Sequence, residues 1–214
     1  MTTANQAVLS LAEQAYQLLE EKLVTLELSP GTHVSEGQLI DLTGFGRTPV
    51  REAIQRLAQQ ELFTVLPRKG LVVTPVSRAS MVHVLEARKP LERVVVHRAA
   101  LNASDSQRSD IAAIARTLTI SHDSFEDFLK LDTDLDRLLD ICAGNPFVSA
   151  AVSPLRSHCR RFWYYHRYQM QLSDAISANS KMARLVARRE YTGAQKASDG
   201  VIAVMERLVA GIER

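Results

Sequence analysis

The chain has 214 residues, 46% hydrophobic and 23% charged, with a net charge of +2. That composition excludes a disordered chain, a collagen-like chain and a disulfide scaffold, and the length suits one large domain or two small ones. No apolar run approaches the ~20 residues of a membrane span. The opening MTTANQAVLSLAEQ has no basic stretch followed by an apolar one, so no signal peptide is expected. With two cysteines, Cys142 and Cys159, and no CxxC pair, a reducing cytoplasm is the expected compartment.

Charge is unevenly placed. Residues 1–76 hold six Lys/Arg and eight Asp/Glu, yet five of those six bases fall between positions 47 and 70. A local basic patch on a mildly acidic module is an electrostatic footprint for phosphate.

In chain order, Ala7 to Leu26 carries leucines at helical spacing and predicts a helix that stops before Ser29-Pro30-Gly31. Ser35 precedes a short helical segment containing Leu39, Ile40 and Leu42, closed by Gly44. A further helix is expected from Thr48-Pro49, with Pro at its first position and Val50, Ile54 and Leu57 as its buried stripe. Arg47, Arg51 and Gln55 share another face. Leu62–Leu66 and Leu71–Thr74 read as two strands joined by the basic turn Pro67-Arg68-Lys69-Gly70. Helix, helix, turn, helix and basic-tipped hairpin make a winged helix-turn-helix.

Beyond Pro75-Val76-Ser77 breakers become scarce, and the rest reads as all-helical. The expected helices are 81–101, 109–119, 125–143, 147–172, 174–190 and 192–212. On the third of these, Phe125, Phe128, Leu131, Leu135, Leu138 and Cys142 form an apolar stripe, while Asp127, Asp132, Asp134, Asp136 and Asp140 fall on other faces. The fold class is therefore mainly α: a winged helix-turn-helix at 1–76, then an all-α helical bundle at 77–214.

Pro30-Gly31, Ser35-Glu36, Leu39, Gly44, Arg47-Thr48-Pro49-Val50-Arg51-Glu52-Ala53, Leu57, Leu62 and Gly70 resemble the GntR family of bacterial transcription regulators. Glu86-Ala87-Arg88 with Leu91-Glu92, Asp132 and Gly144-Asn145-Pro146 are similar to the helical effector domain (FCD) of its FadR-type subfamily. The resemblance implies a cytoplasmic, ligand-responsive DNA-binding regulator, a repressor released by a small organic acid, acting as a homodimer on double-stranded operator DNA. It implies neither an enzyme nor a membrane protein. G-x-S-x-G, P-loop, dinucleotide-binding and HExxH motifs are all missing.

For DNA binding the resemblance points to Arg47, Thr48, Arg51 and Gln55 on the recognition helix and to Lys69 and Gly70 at the wing tip. Arginine suits guanine O6/N7 or phosphate, and a helix N-terminus suits phosphate. For Arg56 and Arg68 a solvated or structural role weighs equally. Relatives often have Arg where this chain has Gly37, and Ser or Thr where it has Gly46. Fewer contacts imply an altered operator preference.

Most FCD domains hold a divalent metal with one Asp and three His. Here the matching positions are Asp132, Asp136, Asn179 and Val201, so no family-type metal and no other cofactor is expected. The six histidines include no i, i+3 or i+4 pair. Effector binding is expected at Arg88, Asp132, Asp136 and Asn179, with a carboxylate facing Arg88. Alternatively Arg88 forms an ion pair with Asp132 or Asp136. A second reading of the whole chain is a regulator whose helical domain only dimerises. The run Arg160-Arg161-Phe162-Trp163-Tyr164-Tyr165 reads as core and pocket wall rather than a base-stacking platform.

Overall fold

A computed structural model describes residues 9–120 and 124–212. Ala7, the expected start of the first helix, and His122 lie outside the described residues. The chain divides into two compact units that meet between Val76 and Ser77.

The first unit begins with α1 (Leu11–Val24), whose N-terminus is capped by the Ser10 hydroxyl accepting from the Glu13 N–H. Its apolar side, Ala15, Tyr16, Leu19 and Leu23, is buried. Next comes β1 (His33–Val34), a two-residue strand too short to leave a period in the sequence. It is followed by α2 (Glu36–Thr43). Ser35 and Gln38 close a reciprocal capping box at the start of α2, and Gly44 ends it in the left-handed conformation. Helix α3 (Arg47–Gln59) starts one residue earlier than Thr48, with Gly46 as N-cap. Pro49 is therefore the third helical residue rather than the first. It is still inside the first turn, where its missing N–H costs no intrahelical bond.

Strands β2 (Phe63–Leu66) and β3 (Gly70–Val73) form the expected hairpin, and β1 joins its outer edge, giving the antiparallel order β1-β3-β2. The core of this unit gathers Leu19 and Leu23 from α1, Leu39 from α2, Val50, Ile54 and Leu57 from α3, and Phe63, Leu71 and Val73 from the sheet.

The second unit is helical: α4 (Arg78–Asn102), α5 (Asp105–Ile120), α6 (Phe125–Ala143), α7 (Pro146–Tyr165), α8 (Leu172–Ala187) and α9 (Tyr191–Gly211). Helix α4 starts earlier than position 81 because the Ser77 hydroxyl caps it. Helix α5 likewise begins before position 109, behind a cap in which Ser104 accepts from the Gln107 N–H. Helix α7 begins at Pro146, capped by the Asn145 side chain, and stops at Tyr165 instead of running to 172. No Gly or Pro marks that stop. A turn through Gln169 replaces the last two helical turns, with the Gln169 N–H donating to the His166 carbonyl.

The stripe on α6 differs from the sequence expectation. Leu131 and Leu138 are only half-buried, whereas Asp132 and Asp136 join Phe128, Leu135, Leu139 and Cys142 on the buried face. Two carboxylates inside a helical core require cations, and α7 supplies them.

Candidate nucleic-acid interface and buried ion cluster

The DNA-facing candidates sit on α3 and on the β2–β3 turn. Arg47, Thr48, Arg51 and Gln55 are all exposed, on the opposite side of α3 from its buried Val50, Ile54 and Leu57. Arg47 and Arg51 converge on one acid that sequence reasoning did not single out as a site residue. Arg51 Nε donates to Glu36 Oε2 at 2.7 Å, and Arg47 Nε lies 3.6 Å from Glu36 Oε1. Glu36 is the first residue of α2, so the capping box that fixes this helix also aims the carboxylate that combs the two guanidinium groups together. Side-chain exposure of 74% for Arg47 and 58% for Arg51 leaves both able to exchange Glu36 for a phosphate or a base edge.

The N-terminus of α3 has no side-chain cap, since Gly46 offers no hydroxyl. The Arg47 and Thr48 N–H groups are thus left for solvent or an anion at the positive end of the helix dipole.

Arg56 takes the structural role. Its Nη1 donates to Glu13 Oε2 at 2.7 Å, and its guanidinium lies 3.9 Å from the centre of the Tyr16 ring. It ties α3 to α1. Arg68 and Lys69 are exposed in the turn after β2, where the Lys69 N–H donates to the Leu66 carbonyl at 3.0 Å. Pro67 and the positive φ of Arg68 give this turn its type II form. Gly70 is exposed at the tip end of the wing, where it pairs with Leu66, but the structure gives its missing side chain a second reason. With φ at +88°, an added Cβ would stand 3.1 Å from the Val34 carbonyl oxygen. Gly70 lets β1 close on β3.

The candidate effector residues of the second unit fall into two groups. Asn179 is buried on α8, where its side-chain amide donates to the Ala175 carbonyl one turn earlier. Arg88, Asp132 and Asp136 instead enter a buried ion cluster built from three helices, each contributing charges four residues apart. Helix α4 gives Arg88 and Glu92; α6 gives Asp132, Asp136 and Asp140; α7 gives Arg156 and Arg160.

Arg88 meets Glu92 rather than the α6 aspartates: its Nε donates to Glu92 Oε1 at 2.8 Å. Arg156 is only 2% exposed and grips the same carboxylate with two bonds, Nε to Oε1 and Nη2 to Oε2, both 2.8 Å. Its Nη1 donates to Asp140 Oδ2 at 2.9 Å, and its Nε lies 3.4 Å from Asp136 Oδ2. Arg160 bridges the α6 pair, donating from Nε to Asp132 Oδ2 at 2.8 Å and from Nη2 to Asp136 Oδ2.

The cluster polarises its members. Burial would raise Glu92, but Arg156 and Arg88 outweigh it and hold the carboxyl well below the usual glutamate range. Burial pushes Asp136 the other way, up to about 7, with Asp132 and Glu92 adding to the effect and Arg156 and Arg160 opposing it. Cys159 lies against the cluster, and burial raises its thiol.

A divalent ion of the kind the resemblance implies fits this donor set poorly. Asp132 and Asp136 both face Arg160, Asn179 turns into its own helix, and Val201 is a buried hydrocarbon. Glu92, Arg156, Arg160 and Asp140 are the members sequence reasoning did not assign. The signal available was the i, i+4 recurrence of charge inside otherwise apolar helices.

Only part of the aromatic run of α7 packs as core: Phe162 and Trp163 are 1% exposed, with the Trp163 ring centroid 5.4 Å from that of Phe128, whereas Tyr165 is exposed. A separate open cleft of about 570 Å3 lies between α4 and α9, floored by Val82, Leu85, Pro90 and Val209 and rimmed by Lys89 and Glu206. No helix among the described residues is long and apolar enough to cross a membrane.

Comparison with known proteins agrees with this architecture. Residues 11–73 match the bacterial regulatory proteins of the gntR family, and residues 83–204 match the FCD domain. The HTH-type transcriptional repressor RspR of Escherichia coli K12 is 30% identical over 154 residues, covering 71% of this chain and 68% of the relative. The fatty acid metabolism regulator protein of Edwardsiella ictaluri is 26% identical over 197 residues, covering 83% and 81%. The solved structure of E. coli McbR/YncC superposes with a TM-score of 0.79 at 18% identity, covering 95% and 97% of the two chains. The first two of these relatives are named as regulators. An exposed arginine pair on the third helix of a winged module, joined to a matching FCD domain, places the chain in the GntR family of DNA-binding transcriptional regulators.

Proposed function

We propose that the protein is a cytoplasmic, ligand-responsive repressor that binds a palindromic operator as a homodimer. The observation that carries the reading is the exposed Arg47/Arg51 pair, held among the described residues by the exchangeable carboxylate of Glu36. Phosphate or guanine can replace that carboxylate, with each bidentate base contact discriminating by ~1–3 kcal/mol. One winged module reads one half-site, so a two-fold dimer matches a palindrome. Exposed Val82, Val94 and Leu101 on α4 offer apolar surface for a second copy. The repressor sign is supported by the name of the relative RspR.

Release by a small organic acid rests on a guanidinium that can accept it. In the helical domain Arg88, Arg156 and Arg160 each already hold at least one carboxylate. An acid would have to displace a neighbour that the chain itself holds in place. That saturation is the observation behind a second reading, a helical domain that dimerises without an effector.

The test is an operator selected from a random duplex pool. Arg47→Ala and Arg51→Ala should each lose specific binding while the Tm stays that of the parent, because the Val50/Ile54/Leu57 stripe is untouched. Tight, specific binding by Arg51→Ala would overturn the assignment of α3 as the recognition helix. A thermal-shift screen of organic acids against the full chain separates the two readings of the helical domain. A shift that also weakens operator binding supports the ligand-responsive one.

A further inference from the structure

The α6 pair poses a physical problem. Asp132 and Asp136 are one helical turn apart, 3% and 7% exposed, and would repel each other without a cation between them. We propose that in this protein the Arg160 guanidinium is the built-in cation of the helical domain, bridging Asp132 and Asp136 itself, so that the domain is completed by its own chain and takes up no transition metal.

Three observations carry this. First, Arg160 reaches both carboxylates at once through different nitrogens, Nε to Asp132 and Nη2 to Asp136. A planar fork of donors suits two oxygens better than a single ammonium would. Second, the bridge is braced from its other side. Arg156, one turn before Arg160 on α7, lies 3.4 Å from Asp136 while gripping Glu92 and Asp140. Two arginines from one helix therefore share three aspartates from another, and α6 is locked to α7 along two turns. Third, the remaining donors a metal would need are weak or missing. Asn179, whose Nδ2 donates to the Ala175 carbonyl, can offer only a neutral amide oxygen, and Val201 has no donor atom. Among the described residues, no group of three or more His, Cys, Asp or Glu is placed to hold a metal. A transition metal needs several good ligands in fixed geometry, and a guanidinium already seated among them repels it.

The substitution changes what holds the domain together. A bound ion is exchangeable, so a metal-holding core depends on supply and on chelators. A covalently attached cation is present in every folded copy and makes the domain indifferent to both. It also fixes the chemical class that the Asp132/Asp136 site accepts. The partner is a flat, multiply donating cation, and a guanidinium supplied from solution should fill the site when the side chain is cut away.

The experiment uses the full chain. Elemental analysis of wild-type protein purified without chelator should find zinc, nickel and manganese far below one per chain, and adding each ion or EDTA should leave the Tm unchanged. Arg160→Ala should lower the Tm, and millimolar methylguanidinium should restore part of the loss in that variant while leaving wild type unmoved. If Arg160→Ala does not fold, Arg160→Lys and Arg160→Met replace it. The lysine variant should be the more stable of the two, because it keeps a cation between the aspartates. Near-stoichiometric metal in the wild type, lost on Asp132→Asn, would overturn the proposal. So would an Arg160→Ala protein as stable as wild type, a folded Arg160→Ala that methylguanidinium does not stabilise, or a methionine variant as stable as the lysine one.

Discussion

The two units use the same residue types in opposite ways. On α3, Arg47 and Arg51 share one carboxylate at the surface, where water screens the attraction and a competing anion can enter. On α7, Arg156 and Arg160 are packed among four carboxylates from other helices, and almost none of that charge meets water. The exposed pair is cheap to break and therefore free to bind. The buried set is costly to break and therefore holds shape. Arginine alone does not announce a binding site. What decides is whether its partner can be exchanged, and that depends on burial and on how many hydrogen bonds would be lost together.

The largest expected effect tests the buried side. In Glu92→Gln, Arg156 loses its bidentate partner and Arg88 its neighbour while volume is kept. Removing one partner of a buried ion pair typically costs ~3–5 kcal/mol. Urea unfolding should show a loss of that order, and a change under ~1 kcal/mol would mean that the cluster is not holding α4 to α7. The same residue gives a pH signature. Glu92 is held below its ordinary value, so the folded state binds its proton less readily than the unfolded chain does. Its contribution is present above the usual glutamate range near 4.5 and is lost as pH falls below it. Wild type should therefore lose stability on acidification below that value more steeply than Glu92→Gln, as followed by circular dichroism.

How far this contrast was legible in the sequence depends on distance along the chain. Local signals read well. Ser35 and Gly44 mark α2 because a hydroxyl cap and a left-handed glycine act within a few residues. Arg47, Arg51 and Gln55 could be placed on one exposed face because the apolar residues between them claim the other. The structural role of Arg56 was not readable, since its partners Glu13 and Tyr16 lie about 40 positions away. The ion cluster was misread for the same reason. Counting apolar residues on α6 put Asp132 and Asp136 off its buried stripe and made them effector ligands or partners of Arg88, because nothing local says that Arg156 and Arg160 will arrive from the next helix. The sequence reading gives Arg88 an anionic partner, from an effector carboxylate or from Asp132 or Asp136. In the structure that partner is Glu92, one turn away on the same helix, and it was in plain view.

A smaller effect belongs to the wing. Lys69 is exposed at its tip beside Arg68. If it meets phosphate rather than a base, Lys69→Ala should weaken binding to all duplexes alike and reduce the slope of log K against log salt by about one. Titrating the variant at several salt concentrations on specific and random duplexes checks this. A loss confined to the specific duplex would make Lys69 a base reader instead.

The smallest effect isolates the exchangeable partner itself. Glu36 is the surface counterpart of Glu92, since each takes two arginines, but its side chain is 32% exposed and those of its partners are far more open. Surface pairs of this kind contribute ~0–1 kcal/mol, so Glu36→Gln should change unfolding free energy by no more than that. Its effect on DNA has the opposite sign. The carboxylate competes with phosphate for Arg47 and Arg51 and adds a negative charge near the backbone, so removing it should tighten binding to random duplex. It also holds the two guanidinium groups in one orientation before contact, and without it that preorganisation is reduced. Affinity for random DNA should then rise more than affinity for the operator, and the ratio of the two should fall. Fluorescence anisotropy on both duplexes at one salt concentration measures that ratio. A Glu36→Gln protein with unchanged affinity for both would show that the arginines reach DNA without leaving the acid. The surface pair would then be as fixed as the buried one, and the contrast between the two units would fail.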